Sequence, residues 1–214
     1  MRSPNVVYAT VHFLARTFYN LYGNWELIGR HNIPESGSVI IAPNHISYLD
    51  PPLVGAAVPR ASVFMARHDL WDNKFLNWLL PYLGAFPVHR GQPDRNAIRH
   101  ALDELARGKV LIIFPEGTRS TTGKLQPGEP GVALIVQKSG APVIPTVLIG
   151  SNEMMTPGVS GIRRANLKVV FGPPLHFTRD QPREEIIECI MHGIASLQVK
   201  HATDVRAVPL NPQT

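Results

Sequence analysis

The sequence predicts an α/β fold: a mostly parallel central sheet of about seven strands covered by helices, with an amphipathic helix at the N-terminus. Three observations lead there. Short unbroken apolar runs, such as Val39 to Ala42 and Val110 to Phe114, read as strands buried on both faces. Stretches with apolar residues three and four apart stand between those runs, so strands and helices alternate. There is no second compositional regime, internal repeat or interior linker, and 214 residues suffice for one domain with a sizeable core.

The elements follow in order. In residues 4–22, Val7, Val11, Leu14, Phe18 and Leu21 form a helical stripe that Tyr8, Tyr19 and Tyr22 extend. Two placements fit it: packing on the chain's own body, or lying in a bilayer surface with tyrosines at headgroup level. Residues 25–29 read as a strand, and Ile33-Pro-Glu-Ser-Gly as a turn. Pro43 and Asn44 stop the central strand; Asp50 reads as the N-cap of a helix opening at Pro51. Residues 62–66 form a strand that leads into Arg67. Residues 70–83, rich in Leu and aromatic side chains, read as core in preference to the wall of an apolar groove. A short strand over 86–90 ends in Arg90. Asp94 caps a helix whose stripe is Ile98, Leu102 and Leu105, closed by Gly108. Residues 110–114 are a strand, 132–138 a helix, and 143–149 and 167–171 the last strands. In the terminal helix, 182–198, Glu184 and Glu185 sit in the first turn and Ile186, Ile190, Ile194 and Leu197 on one face. A tail begins at 202.

The net charge of +5 suits an anionic partner. The basic residues are scattered, with no run of five, which favours a phosphorylated substrate or an acidic membrane surface over nucleic acid. No uncharged apolar stretch reaches about 18 residues, so no transmembrane span is expected. The N-terminus does not read as a signal peptide. Cys189 is the only cysteine, which excludes an internal disulfide, fits a reducing compartment and reads as a small buried helix residue. The sequence has no Gly-x-Ser-x-Gly and no Gly-x-Gly-x-x-Gly. Residues 117–125 miss the phosphate-loop spacing, and no His-Glu-x-x-His or thiolate set suggests a metal.

The chemistry concentrates at strand ends. His45 and Asp50, five apart, point about 140° from each other on a straight helix, so they meet only across a folded loop. There the carboxylate would hold one ring nitrogen and leave the other to accept a proton, as a general base does. His45, Arg67, Arg90 and Arg119 each follow a strand, and such sheets bind ligands off those ends. One histidine and three cations are therefore expected on one rim. In Glu116-Gly-Thr-Arg119, Gly117 permits a tight turn, Arg119 can hold a phosphate bidentately, and Glu116 can orient that arginine or a substrate hydroxyl. The plainer readings are a helix cap and a surface Glu–Arg pair.

Taken together the motifs resemble the glycerolipid acyltransferases. Asn44-His45-Ile-Ser-Tyr-Leu-Asp50 matches their His-x4-Asp motif, and Gly84-Ala-Phe-Pro-Val-His-Arg90 is similar to the second motif. Phe114-Pro-Glu-Gly-Thr-Arg-Ser120 matches the third and Val143-Ile-Pro-Thr146 the fourth, in order, over roughly residues 25–175. The third motif is most similar to that of the 1-acylglycerol-3-phosphate (lysophosphatidic acid) acyltransferases. Arg67 stands where many members carry lysine.

The resemblance implies an acyltransferase domain, placed over 25–201; the apolar stripe gives an N-terminal amphipathic helix over 1–24 as a candidate membrane-interface anchor, without the membrane span of the family, and 202–214 reads as a tail. It implies transfer of a fatty acyl group from acyl-CoA or acyl carrier protein to a lysophospholipid hydroxyl, giving phosphatidic acid from 1-acylglycerol-3-phosphate. His45 and Asp50 would be catalytic. Arg67, Arg90, Glu116, Gly117, Thr118 and Arg119 would bind substrate, and Pro145 would border the donor site. No cofactor or metal is implied, and the protein would attach peripherally or monotopically to the cytoplasmic face of a membrane. The alternatives are another acceptor such as glycerol-3-phosphate, a non-catalytic membrane-binding protein on the same fold, and a lipid hydrolase.

Overall fold

The structure, a computed structural model, describes residues 6–89, 94–155 and 161–202. Arg90 and the tail beyond 202 lie outside them. A seven-stranded sheet is the frame: β1 Glu26–Ile28, β2 Val39–Pro43, β3 Ser62–Arg67, β4 Ala85–Val88, β5 Val110–Ile112, β6 Val143–Ile149 and β7 Lys168–Phe171, in the order β1-β7-β6-β2-β5-β3-β4. Strands β6, β2, β5, β3 and β4 run parallel; β7 joins β6 antiparallel and β1 follows β7. The helices are α1 Val6–Tyr22, α2 Asp50–Ala57, α3 Lys74–Tyr82, α4 Arg95–Ala106, α5 Pro130–Ser139, α6 Ser151–Met154 and α7 Arg183–Ala202.

The continuous apolar strands serve two cores because successive side chains alternate faces. Ile40, Leu111, Val143 and Val147 point to the layer of α4, α5 and α7, whose Ala101, Ile135, Ile190 and Ile194 are buried there. Val39, Ile41, Val110, Ile112, Ile144 and Leu148 point to the other face, where Leu53 and Val54 of α2 and Tyr19 of α1 cover them.

Four expectations need correction. The α1 stripe is split. Val7, Val11 and Phe18 are half-buried and Tyr19 is buried, while Leu14 and Leu21 face outward with Val6 and Phe13. Residues 70–83 are not core: α3 has no buried residue, and Phe75, Trp78 and Tyr82 form an exposed aromatic ladder, because α3 rests on the edge strand β4 with no layer of the described chain outside it. Asp50 is the first residue of α2 and its side chain does not cap that helix. Cys189 is exposed, on the outer side of α7 from Ile186 and Ile190. Among the described residues, no helix is long and apolar enough to cross a membrane.

Candidate active site

Because β2, β5, β3 and β4 are parallel neighbours, their carboxyl ends share one edge, and the segments that leave them build the site. Asn44 fixes the end of β2: its amide donates to the Leu148 carbonyl at 3.2 Å and accepts from Leu148 N at 2.7 Å. The chain then turns through 45–49 instead of entering the helix at once. The turn returns Asp50 to His45, with Nδ1 and Oδ2 2.9 Å apart.

Asp50 is fully buried and its carboxylate is the hub of the turn. Oδ2 also accepts from the backbone N–H of Ile46 at 2.6 Å and of Ser47 at 2.7 Å; Oδ1 accepts from Ser151 Oγ at 2.5 Å. The carboxylate faces back into the loop, which is why it serves no N–H of α2. With Asp50 Oδ2 on Nδ1, Nε2 is the ring nitrogen turned away from the carboxylate. His45 is 8% exposed, and its ring lies against Phe114, with centroids 4.3 Å apart, so one side of it is apolar.

The stretch 114–120 clamps His45 by its backbone. Glu116 Oε1 accepts from His45 N at 2.7 Å, and Ser120 N donates to the His45 carbonyl at 2.8 Å. Glu116 Oε2 accepts from Gln126 N at 2.9 Å. Burial pushes the Glu116 carboxyl up from its usual range, and the two backbone donors oppose that shift. Both oxygens of Glu116 are thus engaged by backbone amides. Gly117 takes φ 64°, and a Cβ there would stand 2.6 Å from Glu129 Cγ, so the turn needs glycine both for its angle and for its space.

Of the cations, Arg119 lies over the Tyr48 ring, its Cζ 4.4 Å from the centroid. Arg67 leaves β3 at the same edge and is paired with Asp69, a hydrogen bond that raises its already high pKa. Thr118 is exposed beside Arg119. Arg90 lies outside the described residues. Pro145 is not at the rim: it is buried in β6, and a Cβ on Gly193 of α7 would stand 3.0 Å from its ring. At the outer end of the edge, His68 and His89 stack with centroids 4.4 Å apart.

Sequence reasoning passed over Ser151 and Tyr48. Ser151 follows β6 as His45 follows β2, so the strand-end rule that selected the arginines also applies to it. Tyr48 stood inside the His-x4-Asp stretch with no property that singled it out.

A mostly parallel sheet that carries a carboxylate-held histidine and arginines at its strand ends has the arrangement of a group-transfer enzyme's site. Residues 24–149 match the family model described as Acyltransferase, and the chain belongs to that family. The particular relatives are 1-acyl-sn-glycerol-3-phosphate acyltransferases. The Bacillus subtilis protein of that name is 28% identical over 162 residues, 75% of this chain and 78% of its own length. That of Streptococcus pneumoniae is 28% identical over 82% of this chain and 65% of its own. The crystal structure of the 1-acyl-sn-glycerophosphate acyltransferase from Thermotoga maritima superposes with a TM-score of 0.75 at 25% identity, covering 92% of this chain and 84% of that one.

Proposed function

We propose that the protein transfers a fatty acyl group from acyl-CoA or acyl carrier protein to the free hydroxyl of 1-acylglycerol-3-phosphate, giving phosphatidic acid. The observation that carries this is the buried His45 Nδ1–Asp50 Oδ2 contact at 2.9 Å with the Arg119 guanidinium beside the same turn. His45 Nε2 takes the proton of the acceptor hydroxyl as the oxygen attacks the thioester carbonyl. The C–S bond breaks, and the carrier's thiolate leaves and takes the proton back from the imidazolium. No acyl-enzyme forms. Arg119 and Arg67 hold the acceptor's phosphate, and Arg90 is the third cation of that set.

The acceptor is a lipid, so the rim works at a bilayer surface, on the cytoplasmic side where these donors reside. The outward face of α1, with Phe13 67% and Leu14 58% exposed, and the aromatic ladder of α3 are the contacts that support this reading. Tryptophan and tyrosine suit the headgroup level.

Labelled acyl-CoA and acyl carrier protein with purified protein test the proposal against lysophosphatidic acid, glycerol-3-phosphate, a lyso-lipid lacking the phosphomonoester, and no acceptor. Phosphatidic acid from the first is expected. Fatty acid released without an acceptor would make it a hydrolase. Vesicle binding without thioester turnover would make it a non-catalytic membrane protein.

A further inference from the structure

Tyr48 stands in the middle of the His45–Asp50 turn, yet it is 68% exposed, while Ser47 is buried and Leu49 half-buried. Packing therefore does not account for a large aromatic side chain at this point. Its ring carries the Arg119 guanidinium, with Cζ 4.4 Å from the ring centroid. Among the described residues, Arg119 makes no ion pair and no side-chain hydrogen bond; the ring face is its contact. The distinction matters chemically. A carboxylate partner would occupy the N–H edge and neutralise the charge. A ring face fixes the plane, leaves the edge open for a bidentate oxyanion and leaves the charge intact. Arg67, by contrast, has Asp69 on its edge.

We propose that Tyr48 is a positioning residue for the acceptor's phosphate: its ring face holds the Arg119 guanidinium and leaves the N–H edge open to the anion. This rests on the acyl-transfer reading above. It also ties the phosphate site to the general base, because Tyr48 and His45 belong to one turn that Asp50 braces.

Steady-state kinetics of Tyr48→Leu, Tyr48→Phe and Tyr48→Trp with lysophosphatidic acid test it, beside thermal melting. Tyr48→Leu should raise the acceptor KM about 3- to 30-fold, the worth of a cation–π contact between exposed and desolvated limits. The donor KM and kcat should move less than about twofold, and Phe and Trp should recover most of the loss. In an Arg119→Ala background, Tyr48→Leu should add nothing to the acceptor KM, since there is no guanidinium left to hold. An unchanged acceptor KM, a loss in kcat alone, a Phe variant as impaired as Leu, or additive losses in the double variant would each overturn the proposal. The Phe variant and the double variant decide the matter even if Leu lowers the melting temperature. A wild-type protein inactive on lysophosphatidic acid would overturn the acyl-transfer reading itself; active wild type with an insensitive Tyr48 overturns only the positioning role.

Discussion

Asp50 performs three tasks with one carboxylate, and they separate by substitution. It orients His45, it closes the turn through the amides of Ile46 and Ser47, and it accepts from Ser151 in a fully buried place. On the acyl-transfer reading His45→Ala removes the base and should cost about 10²–10⁴-fold in turnover, with a stability loss of about 1–3 kcal/mol because the buried Asp50 loses one donor. Asp50→Asn should lose both activity and stability, because an amide NH₂ faced by N–H donors leaves buried groups unpaired, at about 1–3 kcal/mol. Ser151→Ala separates the tasks further: one donor to Oδ1 is lost while the histidine contact remains. It should destabilise by about 1–3 kcal/mol and lower kcat while leaving the acceptor KM alone. Wild-type kcat in Ser151→Ala would show that the histidine contact and the loop amides suffice. Arg119→Ala should instead raise the acceptor KM about 10–100-fold, from a charge-assisted hydrogen bond worth roughly 1.5–3 kcal/mol. Arg119→Lys should restore only part, since the planar fork is lost. A donor KM that moves alone would reverse the assignment of the two substrates.

At the scale of elements, the helix caps show what a sequence tells and what it leaves out. Asp94 was legible: it precedes the α4 stripe, and its Oδ1 accepts from Ala97 N at 3.0 Å. Its Oδ2 also accepts from His89 N at 2.9 Å. These backbone donors, with the His89 side chain, hold its carboxyl down at about 2, against an ordinary value of 3.8. A depressed folded-state pKa stabilises above the unfolded value and loses that stabilisation as pH falls through the folded one. The stability gap between wild type and Asp94→Ala, about 1 kcal/mol for a lost cap, should therefore be full above pH about 4 and close as pH falls toward 2. Urea titrations across that range measure it, and a gap independent of pH would show that the ionised carboxylate is not what caps α4. Asp50 offered a similar cue, an acid at the start of a helix and here before Pro51, and did something else. Residue type identifies a capping group but not which N–H it serves, and a turn five residues long gave it nearer donors than α2 did. Residues 70–83 failed for a related reason. Periodicity reveals an apolar face but not whether another layer covers it, and β4 proved to be the edge of the sheet.

Across the whole molecule, the alternation of apolar runs made the layered sheet legible, and the strand-end rule put His45, Arg67 and Arg119 on one edge. Strand order, the reversal at β7 and the split of the α1 stripe were not legible, because they depend on long-range packing that short windows do not encode. The corrected α1 sharpens the membrane prediction. Its inner residues hold the body: Tyr19 donates to the Leu49 carbonyl at 3.1 Å, and Phe18 packs on the α2 side of the sheet. Its outer residues, Phe13 and Leu14, are exposed, as are Phe75 and Trp78 of α3, and on the proposed reading these side chains meet the bilayer. Phe13→Asp with Leu14→Asp should leave the melting temperature unchanged and weaken binding to anionic vesicles about 10²–10⁴-fold, given roughly 1.5–3 kcal/mol for burying each of the two side chains in full. Phe18→Asp should instead unfold the protein. Trp78→Asp should weaken vesicle binding independently of the α1 pair, and the two losses should combine if both helices touch one surface. The net charge of +5 adds a component that salt screens and that neutral lipid abolishes, while the apolar component survives both. Turnover of a short-chain, water-soluble lysophosphatidic acid should persist in the α1 variant, because the rim residues are untouched. Wild-type vesicle binding by the triple variant would show that neither helix face meets the membrane and that attachment lies in another part of the chain.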